Sequence, residues 1–148
     1  MSRRYRSGPK RPIEKFNTNG ILTQVGPTKQ TVDLFTANMA QTLVGLKING
    51  NIYVDPNEYG AVVIAVVREG NSANEISFTN GQSQYEPEQD VLWSFLLGGI
   101  TDQNSVNIDD DSKAMRKLNN GDKIVLIVDG STSDSTNCYL NVTGWLKQ

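Results

Sequence analysis

From residue 20 onward, apolar positions fall in short runs with the two-residue alternation of β-strands, and no stretch sustains the 3.6-residue period of a helix. The pattern predicts strands near Ile21 to Val25, Thr31 to Thr36, Thr42 to Val54, Ala61 to Arg68, Val91 to Leu97, Lys113 to Leu118, Lys123 to Asp129 and Cys138 to Lys147. Turn-forming words separate them: "GPT" (26 to 28), "DPNEYG" (55 to 60), "EGNSAN" (69 to 74), "TNGQ" (79 to 82), "NNGD" (119 to 122) and "DGSTSDSTN" (129 to 137). Residues 98 to 111 read as a loop with room for a short helical turn. Eight strands without a helix point to an all-β sandwich, jelly roll or barrel.

Two strands break the usual alternation. In "AVVIAVV" (61 to 67) and "IVLIV" (124 to 128) both sets of alternating positions are apolar, so both faces avoid water. An antiparallel sandwich strand normally turns one polar face outward. Either loops of the same chain cover the second face or neighbouring copies do. "VLWSFLLGG" (91 to 99) carries apolar residues on both faces as well, and the sharper expectation is an assembling protein whose partners bury these surfaces.

Charge divides the chain. Residues 1 to 15 hold six cations against one anion, a net of +5, whereas residues 16 to 148 hold eight cations against fifteen anions, a net of −7. Residues 1 to 19 contain Gly8, Pro9, Pro12 and Asn17 with few apolar anchors, and read as a disordered basic arm ahead of a domain spanning 20 to 148. Arg3, Arg4 and Arg6 alternate around Tyr5, which pairs phosphate-binding guanidiniums with a ring able to stack on a base. With Lys10, Arg11 and Lys15 they form the candidate nucleic-acid-binding set; a nuclear import signal could use the same residues. The longest apolar runs are far too short to span a bilayer, and the basic N-terminus lacks the apolar core of a secretory signal.

Catalytic chemistry finds little support. The chain has no histidine, which removes the commonest general base and the usual ligands of a cupin metal site. Cys138 is the one cysteine, so no internal disulfide forms. Acidic groups gather at "EPEQD" (86 to 90) and "DDD" (109 to 111), where paired carboxylates would suit glycoside hydrolysis or calcium at a subunit contact; the plainer reading is solvated loops. "NVT" (141 to 143) matches a glycosylation acceptor but lies in a strand, and no glycine-rich phosphate fingerprint is present. No enzyme activity, cofactor or resident metal is expected.

Three stretches carry a family resemblance: "REGNSANEISF" (68 to 78), "YEPEQDVLW" (85 to 93) and "SKAMRKLNNGDKIVLI" (112 to 127). With the basic arm they resemble the small single-jelly-roll capsid proteins of Rep-encoding circular single-stranded DNA viruses, similar in fold to the satellite tobacco necrosis virus coat protein. The resemblance implies a single eight-stranded antiparallel jelly roll that assembles with itself, 60 copies to a T=1 shell, its arm facing packaged single-stranded DNA. It also implies a virion location, with passage through the host nucleus. Many arms of the family are longer and richer in arginine than this one. The alternatives from other classes are a carbohydrate-binding, lectin-like jelly roll using Trp93, Tyr85 or Trp145 as an aromatic platform, and a small nucleic-acid-binding module that forms no shell. In "SKAMRKLNNGDKIVLI" an extended backbone would put Lys113, Met115 and Lys117 on one face and Ala114, Arg116 and Leu118 on the other. The stretch therefore reads as strand, turn and strand near subunit contacts rather than as a nucleic-acid patch.

Overall fold

The computed structural model describes residues 13–25, 29–53, 60–73, 90–97, 105–130 and 136–148. Nine strands follow in chain order: β1 (Ile13–Val25), β2 (Gln30–Thr36), β3 (Gln41–Tyr53), β4 (Gly60–Val67), β5 (Val91–Leu97), β6 (Ser105–Ser112), β7 (Arg116–Leu118), β8 (Lys123–Gly130) and β9 (Thr136–Lys147). They form two antiparallel sheets, here called A and B. Sheet A has the order β1-β9-β3-β6, with β7 also pairing β3, and sheet B has the order β2-β8-β4-β5. The domain is an all-β sandwich.

The pairings are nested. Ile13 pairs with Lys147, Gln30 with Val128, Leu46 with Ser112 and Gly60 with Leu97. The chain therefore runs as one long antiparallel ribbon whose midpoint lies between β4 and β5. Successive rungs of the ribbon alternate between the sheets: β1 with β9 in A, β2 with β8 in B, β3 with β6 in A, β4 with β5 in B.

The core follows from strand parity. Leu46, Ile48 and Ile52 of β3 and Cys138, Leu140, Val142 and Leu146 of β9 face Val62, Ile64 and Val66 of β4 and Ile124, Leu126 and Val128 of β8. In β3 the inward set changes from odd to even numbers between Leu43 and Leu46, both fully buried. A register shift between Leu43 and Gly45 against β9 supplies the extra residue that permits it. Gly50, inward and opposite Leu140, has φ of 148°, and a Cβ there would run into the carbonyl oxygen of Tyr139. Gly144 leaves the space that the Phe16 ring fills on its way to stack on Phe35, with ring centroids 4.8 Å apart.

Three expectations change. First, β6 lies in the stretch read as a loop. Its sequence, SVNIDDDS, is polar outside, but Val106 and Ile108 alternate inward and Ile108 is buried. Second, residues 13 to 19, assigned to the arm, form the first half of β1, held by β9 from the far end of the chain. Third, Lys113–Leu118 is a strand only at Arg116–Leu118, although its burial alternates as an extended chain requires. Nine strands among the described residues replace the eight expected.

The second apolar face also has its answer. Val63, Ala65, Val67, Val91, Val125 and Ile127 form a separate buried cluster on the outer side of sheet B, with Ala73 packed against it. Val63, Ala65 and Ile127 are fully shielded within the single chain. The chain covers this face itself, so on β4 and β8 no neighbouring copy is needed to remove the apolar surface from water.

Candidate nucleic-acid interface

Of the six cations predicted to meet nucleic acid, Arg3, Arg4, Arg6, Lys10 and Arg11 lie outside the described residues. Lys15 sits in β1, exposed, on the outer face of sheet A. Its cross-strand neighbour is Trp145 of β9. The register of sheet A shows which side chains share that face, because direct cross-strand partners point to the same side.

At the arm end of the face, one row runs from Ile13 to Lys147, Thr42 and Lys117, crossing β1, β9, β3 and β7. The next runs from Lys15 to Trp145 and Gly45. The Trp145 ring lies next to Gly45, where an added Cβ would make ordinary contact with the indole at 3.8 Å. A third row holds Asn17, Thr143, Lys47 and Asp111, and a fourth Asn19, Asn141, Asn49 and Asp109. Ile21, Tyr139, Asn51 and Asn107 follow, and Tyr53 packs edge-on against Tyr139 with centroids 5.9 Å apart. Lys15, Lys47, Lys117 and Lys147 are all exposed, and none forms an ion pair among the described residues.

Amides dominate the middle of the face. Asn17 Nδ2 donates to Asn141 Oδ1 at 3.0 Å and to Thr143 Oγ1 at 2.8 Å, while Asn141 Nδ2 donates to Asn17 Oδ1 at 2.9 Å and to Asn19 Oδ1 at 2.8 Å. Asn49 Oδ1 is shielded from solvent and has no hydrogen-bond partner among the described residues. The carboxylates lie at the β6 edge, opposite the arm. In an extended strand the three aspartates of "DDD" cannot converge: Asp109 and Asp111 point outward, while Asp110 points in and accepts the Trp93 indole N–H at 2.9 Å. Of "EPEQD", Asp90 alone falls within the described residues.

"SKAMRKLNNGDKIVLI" has a different task. Arg68, just after β4, grips Asp90 through Nε at 2.9 Å and Nη2 at 3.2 Å, and reaches Asp122 Oδ2 at 2.8 Å and the Lys117 carbonyl at 2.6 Å. Asp122, its side chain only 3% exposed, also accepts the Glu69 N–H at 3.0 Å and the Asn119 N–H at 2.8 Å. Arg116 approaches Asp90 at 3.5 Å. Burial alone would raise the Asp122 carboxyl. The hydrogen bonds from Asn119, Glu69 and Arg68 outweigh it and hold the group below the usual carboxylate range. Gly121, with φ of 93°, turns the chain into β8 as the NNGD word requires. The knot ties the ends of β4, β5 and β8 to β7, and every charge in it is spent on another group of the same chain. Sequence reasoning missed Arg68 and Asp122 because their partners lie tens of residues away.

Two other groups are disposed of by their surroundings. Cys138 is buried in the core, and burial pushes its thiol up to about 12, so at neutral pH it is an inert apolar side chain. Trp93 is half-buried, hydrogen-bonded and stacked near Phe95, and offers no open platform. Tyr85 lies outside the described residues, which leaves Trp145 as the described member of the predicted aromatic set with an outward position. No protein-family model matches the chain, and no curated protein matches it.

Proposed function

We propose that this protein is a shell-forming structural subunit, a jelly roll that assembles with itself and holds single-stranded nucleic acid through its basic N-terminal segment. The observation that carries the reading is the nested ribbon, with rungs alternating between sheets ordered β1-β9-β3-β6 and β2-β8-β4-β5. Folding such a ribbon over itself generates the two Greek keys of a jelly roll, an architecture used by viral capsid domains, lectins and cupins. β7 is then a short three-residue addition beside β3 rather than a ninth member of the motif. Among those users, the absence of histidine weighs against a cupin, and the +5 segment ahead of an acidic domain favours the capsid.

The doubly apolar strands β4 and β8 offer no surface for assembly, since the chain covers them itself. Contacts between copies must use other surfaces, and the exposed Ile21, Tyr139 and Tyr53 on sheet A are available. Electron microscopy and sizing of the purified protein test the proposal: closed particles of uniform diameter are expected, and a 16.3 kDa monomer at every salt and calcium concentration would overturn it.

A lectin-like reading has one observation in its favour, the Trp145 ring lying across Gly45 beside a surface of amides. Neutral oligosaccharides that quench Trp145 fluorescence, with no effect from a single-stranded oligonucleotide, would favour it.

A further inference from the structure

The arm brings only +5 per copy, little against the charge of a genome, so a nucleic-acid-holding subunit of this kind needs cations on its folded domain as well. The domain as a whole is acidic, which makes the placement of its few unpaired lysines informative.

Lys117 and Lys147 flank Thr42 in a single row, two inter-strand spacings apart, or about 10 Å between backbones. Between them opens a cleft of about 260 Å³ lined also by Asn119, Gln148 and Gln41. Glu14 stands beside the cleft, where its carboxylate accepts the Gln41 amide at 3.1 Å and the Gln148 amide at 3.3 Å. The Trp145 ring lies two residues back along β9, about 7 Å away by strand rise, with Lys15 at its side. Ile13 occupies the same row as Lys147, so the basic segment joins the domain at this corner. Asp109 and Asp111 lie on β6, on the same side of β3 as β7 but farther along that strand, opposite Asn49 and Lys47, so the acids of this face stand away from the row of Lys117, Thr42 and Lys147.

We propose, resting on the function above, that the cleft between Lys117 and Lys147 is a phosphate site for single-stranded nucleic acid, with Trp145 as the stacking platform for an adjacent base. Two exposed lysines that line one cleft can pair with a phosphodiester, Thr42 and Asn119 supply neutral hydrogen bonds, and the indole accepts any base without regard to sequence. The strand would thus pass from the arm onto the outer face of sheet A. Binding is then indifferent to sequence and steeply dependent on salt.

The test uses the full chain and a fluorescent oligothymidylate, titrated across a range of salt. Lys117→Gln with Lys147→Gln is expected to weaken binding about tenfold at low salt and to flatten the plot of log K against log salt by about 0.7, the loss of one phosphate contact. Lys117→Arg with Lys147→Arg should restore the slope. Trp145→Ala should weaken binding about fivefold or more with the slope unchanged, and Trp145→Phe should recover part of the loss. Neutralising Arg3, Arg4, Arg6, Lys10 and Arg11 to glutamine should add a separate loss. If that variant loses binding while the lysine pair and Trp145 variants match the parent, the cleft is not the site and the arm reading stands. If the parent protein fails to bind the oligonucleotide, both readings fall. An acidic polysaccharide that binds through the lysine pair while the oligonucleotide does not would overturn the proposal in favour of a glycan.

Discussion

The outer faces of the two sheets solve opposite problems. On sheet B, Val63, Ala65, Val125 and Ile127 build a second apolar layer that the chain itself closes over. On sheet A, the equivalent positions are amides, lysines and tyrosines left at the surface. A hydrophobic strand face therefore does not by itself announce a partner; on β4 and β8 the apolar face is shielded within the chain, and the amide- and lysine-bearing face of sheet A is the one at the surface. The physical difference is that apolar area is costly wherever water reaches it, at about 25 cal/mol per Å², so a single chain has every reason to cover it. A hydrated amide or lysine carries no such penalty and can stay exposed.

The largest expected effect separates the two faces directly. Ile127→Asp places an unpaired carboxylate in the second layer of sheet B and should destabilise the isolated subunit by about 4 kcal/mol, read as a fall in the urea midpoint. Were that face a contact between copies instead, the substitution would block assembly and leave the midpoint of the monomer where it was.

Next comes the knot that holds the ends of sheet B. Asp122→Asn should cost about 3 kcal/mol, because Arg68 loses a buried partner and the Glu69 and Asn119 amides lose a charged acceptor. The folded-state pKa of Asp122 lies below its unfolded value, near 3.8. The stabilisation is accordingly complete above that value and disappears as pH falls through the lower folded one. Urea midpoints followed from pH 6 downward should decline less steeply in Asp122→Asn than in the parent.

On sheet A the effects shrink and one changes sign. Asn141→Ala removes three exposed amide hydrogen bonds and should cost about 1 kcal/mol. Asn49→Val should raise stability by up to about 1 kcal/mol, since it replaces a shielded acceptor without a partner by a side chain suited to a strand. Thermal melts of the two variants moving in opposite directions would confirm that the amide face is not uniformly optimised for stability. Lys47→Ala, an exposed lysine without an ion pair, should stay within about 0.5 kcal/mol.

The strands with a strong apolar signal were legible along the chain. β2, β3, β4, β5, β8 and β9 lie where alternation or an unbroken apolar run placed them, because each carries several buried residues in a short window. β6 was not, since its three aspartates mask a period marked only by Val106 and Ile108, and one of the three is held by Trp93 of another strand. The first half of β1 was not either: Phe16, Thr18 and Gly20 face inward between polar neighbours, and a local reading of IEKFNTNG sees an arm. For the candidate interface, composition singled out the basic residues near the N-terminus and named Trp145 among the aromatics. It gave no means of pairing Lys117 with Lys147, which are 30 positions apart and meet across Thr42 through register alone.

By itself, then, the order of residues determined the class of the protein: all-β, without histidine chemistry, with its cations concentrated ahead of an acidic domain. Those properties are additive over neighbouring positions, which is why a linear reading recovers them. The tertiary structure alone decided that β1 ends up beside β9, that the second face of β4 and β8 is closed within the chain, and that scattered lysines and one tryptophan share a corner of sheet A. Each depends on contacts between residues far apart in sequence, whose free energy exists only after the loops between them have closed.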